Sequence, residues 1–249
     1  MGALDLYTLS WPEVRDEIER GRDTIVVCFG AVEQHGHHLP LGTDSMLGDA
    51  LGRALADRLD AFVAPTVQVG VSRHHLAFPG TMSIEEGTFV QVVGDIVRGW
   101  AGQGFRRIVL VPSHGGNFAP LGAALEELGG RDGVKVVART DLSVLVNATL
   151  GLGAELGIPA SEGGLHGGEW ETSLMLSVRP DLVHMDRAVA GYTGDLESGM
   201  QKFFDEGVHA LTDTGVIGDP KQASAAHGHR YFERIVELAT ELVERESSR

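Results

Sequence analysis

Short runs rich in Val and Ile alternate along the chain with stretches whose apolar residues recur at helical spacing. TIVVCFG (24–30) reads as a buried strand, preceded by a charged helix and followed by a glycine-containing loop. In 45–59 the residues Met46, Leu47, Ala50, Leu51, Leu55 and Leu59 fall on one helical face. AFVAPTVQVG (61–70) predicts a second strand, and Ser83-Ile-Glu-Glu a capping start for a helix through Trp100. RRIVLVPS (106–113) and VKVVART (134–140) predict two more strands, with a helix over 120–128 between them.

The stretch 141–166 is less regular, 169–177 reads as a helix ending at Arg179-Pro180, and the polar, glycine-rich 185–223 reads as long surface loops. Gly218-Asp219-Pro220 precedes a last helix over 223–244. Apolar strands separated by helices indicate a mostly parallel sheet covered on both faces. The expected fold is therefore a three-layer α/β/α sandwich. With no internal repeat or linker, residues 1–249 are expected to form one domain.

Composition narrows the function. A net charge of −15, from 20 Lys plus Arg against 35 Asp plus Glu, and the lack of a basic stripe argue against nucleic acid as partner. No apolar run approaches the roughly 20 residues of a membrane span, and the N-terminus does not read as a secretory signal. No membrane partner and a cytoplasmic location are expected. The single cysteine, Cys28, excludes an intrachain disulfide and reads as a buried inert thiol. The 34 glycines and 11 histidines are more informative, because they cluster together.

In open α/β sheets, ligands bind outside the carboxyl ends of the strands. Loops after the first three predicted strands carry GAVEQHGHHLPLGTD, VSRHHLAFPGT and PSHGGN. Glu33 and His35 alternate, so an extended loop turns both the same way. Imidazole with carboxylate suits zinc, manganese or iron(II), and a carboxylate such as Asp44 can bridge two ions. E-x-H-x8-D followed by S-H-G-G-N, containing His114 and Asn117, is improbable by accident. GLHGGEWETSLML adds His166, Glu169 and Glu171 where a loop enters a helix. Two residues apart, the glutamates cannot share one helical face, so at most one is a direct ligand. Taken singly, His37, His38, His74 and His75 read as surface or capping residues, and His209, His227 and His229 as solvated.

The ordered motifs EQHGHHLPLGTD, HHLAFPGT, SHGGN, HGGEWETSLML and GVIGDP resemble the creatininase family of amidohydrolases over roughly residues 8 to 240. The resemblance implies a creatininase-like fold and a centre of two divalent metals, zinc with manganese or zinc alone, iron being admissible. It also implies a small-molecule substrate and homo-oligomers, often hexamers. By position, Glu33 resembles a ligand of the first, more exchangeable metal, His35 and His114 resemble ligands of the second, and Asp44 resembles the bridging carboxylate. His166 falls near the family's catalytic, proton-shuttling histidine.

Two departures stand out. Creatininases carry a glutamate ligand two residues after the histidine equivalent to His114, where this chain has Gly116. Glu169 is expected to close that site, with Glu171 second. The tryptophans that hold creatinine in creatininases have no counterpart in 141–165, which argues against creatinine as substrate. The expected activity is hydrolysis of a C–N bond in a small cyclic amide, formamide or peptide through a metal-activated water. His166 would be the proton donor, and Asn117 would orient His114 or the substrate carbonyl. Alternatives are a precursor-peptide peptidase, a hydrolase opening a keto-inositol ring, or a non-catalytic metal-binding scaffold. A Rossmann-type nucleotide site is disfavoured, since no G-x-G-x-x-G follows the first strand.

Overall fold

A computed structural model describes residues 2–129 and 133–247. In chain order the elements are β1 (Leu4–Asp5), α1 (Trp11–Glu19), β2 (Thr24–Phe29), α2 (Thr43–Leu59), β3 (Phe62–Val63), α3 (Glu86–Gln103), β4 (Arg107–Pro112) and α4 (Phe118–Leu128). They continue with β5 (Lys135–Ala138), α5 (Leu142–Glu155), α6 (Ala160–Gly163), α7 (Glu169–Val178), α8 (Leu196–Glu206) and α9 (Ala225–Ser247).

The five strands form one sheet in the order β1-β3-β2-β4-β5, with every neighbouring pair parallel. Successive side chains of a strand point to opposite faces. Val26 and Cys28 of β2 accordingly pack with Leu51 and Leu55 of α2, Met175 of α7 and Tyr231 of α9. Ile25, Val27 and Phe29 face the other way, onto Phe89 and Val93 of α3 and Leu121 of α4. Both faces of the sheet are therefore covered, which is why TIVVCF is apolar throughout rather than alternating. Each fully buried side chain such as Leu55 stabilises this arrangement by roughly 1.5–3 kcal/mol.

Several local details differ from expectation. The second strand spans only Phe62–Val63, because Pro65 cannot donate to the ladder; pairing resumes at Val67, whose N–H donates to the Cys28 carbonyl. Ser83 is not a helix cap: α3 starts at Glu86, and the Ser83 hydroxyl accepts from the Ser72 N–H instead. The stretch 141–166 holds α5 and α6, and the presumed loops of 185–223 hold α8. Among the described residues, no helix is long and apolar enough to cross a membrane.

One close approach positions the site. A Cβ on Gly228 of α9 would lie 1.9 Å from the Ser173 carbonyl of α7, so only glycine permits these helices to touch. Helix α7 is thereby pressed against α9, with its first turn at the carboxyl end of the sheet.

Candidate metal centre

Beyond Phe29 the chain leaves β2 and places Glu33 and His35 at the carboxyl end of the sheet, both almost completely buried. Asp44 enters from the first turn of α2, where the helix dipole favours a carboxylate. His114 follows β4, His75 sits in a single 3-10 turn (Arg73–His75), and His166 and Glu171 come from the start of α7 and the loop before it.

The distances sort these side chains around Asp44. Its Oδ1 lies 3.4 Å from His35 Nε2, which is itself 3.6 Å from Glu171 Oε1. Its Oδ2 lies 3.4 Å from His114 Nδ1, which is 3.3 Å from Glu33 Oε1. His35 and His114, expected to share one ion, thus face different oxygens of Asp44. Glu33 groups with His114, and Glu171 with His35. His75 Nε2 and His166 Nδ1 close the cluster over Glu33, at 3.4 and 3.7 Å from Oε1.

Three histidines are held in the same manner. His35 Nδ1 donates to the Glu33 carbonyl at 3.0 Å, His114 Nε2 to the Val71 carbonyl at 3.0 Å, and His166 Nε2 to the Gln34 carbonyl at 2.5 Å. A neutral imidazole that donates through one nitrogen presents a lone pair at the other, which is how ligating histidines are oriented. His166 is pinned further by backbone pairing with Ile217 of the GVIGDP motif, whose N–H donates to the His166 carbonyl at 2.8 Å.

Six buried side-chain atoms among the described residues lack a hydrogen-bond partner, and four belong to this cluster: Glu33 Oε1 and Oε2, His35 Nε2 and Asp44 Oδ2. An unpaired buried acceptor costs roughly 1–3 kcal/mol or more, so these atoms call for a cation. Charge balance agrees. Burial works against a charged His35, yet Asp44 and Glu171 hold its pKa well above the usual histidine range. For His114 burial is outweighed by Glu33 and Asp44, and its pKa rises to about 9. The Glu33 carboxyl is pushed up to about 7, by burial and by the neighbouring Asp44. Asp44, opposed by burial, is held far below the ordinary range by His35 and His114. Carboxylates that draw protons onto buried imidazoles draw a divalent ion the same way, and such binding releases those protons. The donor set fits divalent metals that accept nitrogen and oxygen together.

Two expected site residues stand elsewhere. Glu169 is fully buried, but its Oε2 accepts from the Tyr231 hydroxyl at 2.8 Å. Its Oε1 accepts from the Ser173 hydroxyl at 2.9 Å and meets His227 Nδ1 at 2.7 Å. It therefore ties α7 to α9, and Glu171 is the glutamate of α7 that reaches the cluster, beside His35 rather than on the Glu33 side expected of Glu169. His227, read as solvated, is half-buried in that contact. Asn117 spends its whole amide on backbone, accepting from Val71 N–H and donating to the Phe29 and Gly30 carbonyls, all at 3.0 Å. Its side chain clamps the Phe29–Gly30 and Val71 segments to its own and offers nothing to substrate or to the His114 imidazole.

Two neighbours of the cluster were not expected. His75 is buried, with its Nε2 toward Glu33. Gln34 reaches His75 Nδ1 and the Gly215 carbonyl with its amide nitrogen, at 3.1 and 3.0 Å. The doubled histidine of VSRHHLAFPGT was the available signal for His75, and Gln34 had none beyond its place between Glu33 and His35.

The cluster floors a cavity of about 360 Å³. One wall is α5, with Leu142, Leu145 and Val146; the other is α8, with Met200, Phe203 and Phe204.

The creatininase family model, described as creatinine amidohydrolase, matches residues 7–243. The chain is 34% identical over 229 residues to the mycofactocin precursor peptide peptidase of Mycolicibacterium smegmatis, covering 89% of this chain and 84% of that one. It is also 34% identical over 197 residues to creatinine amidohydrolase of Pseudomonas putida, covering 73% and 74%. A solved structure of manganese creatininase superposes with a TM-score of 0.78 at 30% identity, covering 98% of each chain.

Proposed function

The chain belongs to the creatininase family of hydrolases, and from that premise we propose that it cleaves the C–N bond of a cyclic amide, formamide or peptide at a two-cation centre held by Glu33, His35, Asp44, His114 and Glu171. The observation that carries this reading is Asp44, whose two buried oxygens each face a different histidine at 3.4 Å. Zinc with manganese, or zinc in both positions, suits these donors, and iron is admissible. Bound there, the cations supply Lewis acidity toward the amide carbonyl and lower the pKa of a water to roughly 7.

The protein's own groups do the rest. Burial keeps His166 near pKa 4, so its imidazole rests neutral with the Nδ1 lone pair toward the cluster. In this reading Nδ1 accepts the proton of the attacking water and returns it to the leaving nitrogen. Gln34 donates to His75 Nδ1, which leaves the His75 Nε2–H directed at the Glu33 side of the cluster, where it can hydrogen-bond the substrate. The apolar walls of α5 and α8 keep bulk water from the reacting groups. Similarity to a peptidase over most of the chain favours a peptide bond within the amide class. Homo-oligomeric assembly and a cytoplasmic location belong to the same proposal.

Chelator-treated and zinc- or manganese-reloaded protein, assayed on cyclic amides, formamides and short peptides, tests the reading. Turnover of at least one member that vanishes with the metals and returns with them is expected. Fully loaded protein without turnover on any member would favour the non-catalytic scaffold.

A further inference from the structure

Resting on that reading, we propose that the walls of the cavity select an uncharged amide carrying an aliphatic or aromatic side chain next to the scissile bond, with Phe203 and Met200 of α8 and Leu145 of α5 as specificity-determining residues. The cavity lining includes exposed Arg73 and Glu86 and the buried Glu33, Asp44 and His114 of the floor, and α5 and α8 contribute apolar groups. Its volume of about 360 Å³ lies in the lower part of the range for small-ligand sites, roughly 300–1,000 Å³.

Helix α8 is fixed over the floor by aromatic contacts with the turn that carries His75. The Phe203 ring lies 4.8 Å from the His74 ring and 5.9 Å from the His75 ring, centroid to centroid. Phe204 packs on Phe203 at 5.1 Å. An apolar group placed beside Phe203 is thus within one side chain's reach of His75 and, through it, of Glu33. Outside the cluster, the charged groups lining the cavity among the described residues are Arg73 and Glu86, and they face each other at 3.4 Å. A charged substrate side chain would find no free partner on these walls and would lose its hydration there. An apolar one gains by leaving water.

The test measures binding of N-acetyl amino acid amides with Gly, Leu, Phe, Asp and Lys side chains to the metal-loaded protein by calorimetry. The Leu and Phe amides are expected to bind about 10-fold or more tighter than Gly, Asp or Lys. Phe203→Ala and Leu145→Ala, from opposite walls, should each reduce that preference severalfold, while Phe203→Leu should keep the Leu amide bound. Equal binding of Gly and Leu, tighter binding of Asp or Lys, absence of binding, or a preference untouched by all three variants would overturn the proposal. Turnover of the bound amides reports separately on the hydrolase reading: selective binding without turnover contradicts the reaction and leaves the pocket assignment standing.

Discussion

Glu171 Oε1 stands 3.6 Å from His35 Nε2, bringing the first turn of α7 against the loop after β2. Glu169 is two residues earlier, about 200° away around the helix, and both its oxygens are taken by Ser173, Tyr231 and His227. Glu171→Gln should therefore release the ion on the His35 side and retain the one on the Glu33–His114 side. Removing a direct ligand should weaken that site by more than the roughly 10–100-fold typical of an outer partner. Glu169→Gln should keep both ions but lower the melting temperature, since mismatching a buried acceptor costs about 1–3 kcal/mol. Metal analysis and thermal unfolding of the two variants check this; ion loss from Glu169→Gln alone would reverse the assignment.

Gly116 occupies the position where creatininases carry a glutamate ligand, yet a Cβ there would lie 2.1 Å from the Val71 carbonyl and 2.5 Å from His114 Nε2. The Val71 carbonyl is the group that orients His114. Gly116→Glu should thus fail to restore metal to Glu171→Gln, and should itself weaken the His114 site and destabilise the fold. Recovery of the second ion in the double variant would show that the loop yields more easily than its packing indicates.

Where a residue run was uniformly buried or a motif dense, the sequence was a good guide. β2 and β4 were legible because both faces of the sheet are covered, so their apolar runs are unbroken. Glu33, His35, Asp44, His114 and His166 lie together because loops at one edge of a parallel sheet converge. The two glutamates of α7 could not be told apart without knowing what packs on the helix: Gly228 and Tyr231 of α9 decide it, from more than fifty positions away. The amide of Asn117 is consumed by the backbone of two distant segments, a tertiary fact with no local signature. Helix α5 was missed because it is apolar nearly all round and broken by glycines, and α8 because glycine and charge masked a short amphipathic pattern.

His166→Ala should leave the metal content intact and lower kcat by roughly 10²–10⁴, the usual effect of removing a general acid–base group. Steady-state kinetics with metal analysis on the same sample distinguishes the roles. If an ion leaves with the imidazole, His166 is a ligand.

Burial, aided by Asp49, pushes the Cys28 thiol up to about 12 from an ordinary value of 9.0. The folded protein then holds this proton more tightly than the unfolded chain does. The resulting contribution to stability is fully present below about pH 9 and is lost as pH rises from there through about 12. The thiol of the native protein should accordingly resist a disulfide reagent at pH 8 and react only on unfolding. Rapid labelling of the folded protein would contradict the burial argument.

Whether Asp44 bridges two cations is read by anomalous diffraction from crystals of the zinc- or manganese-loaded protein. Two peaks per chain are expected, one between Asp44 Oδ1, His35 and Glu171, the other between Asp44 Oδ2, Glu33 and His114. Asp44→Asn should lose at least one of them while remaining folded. A single peak, or two peaks neither of which touches Asp44, would contradict the account.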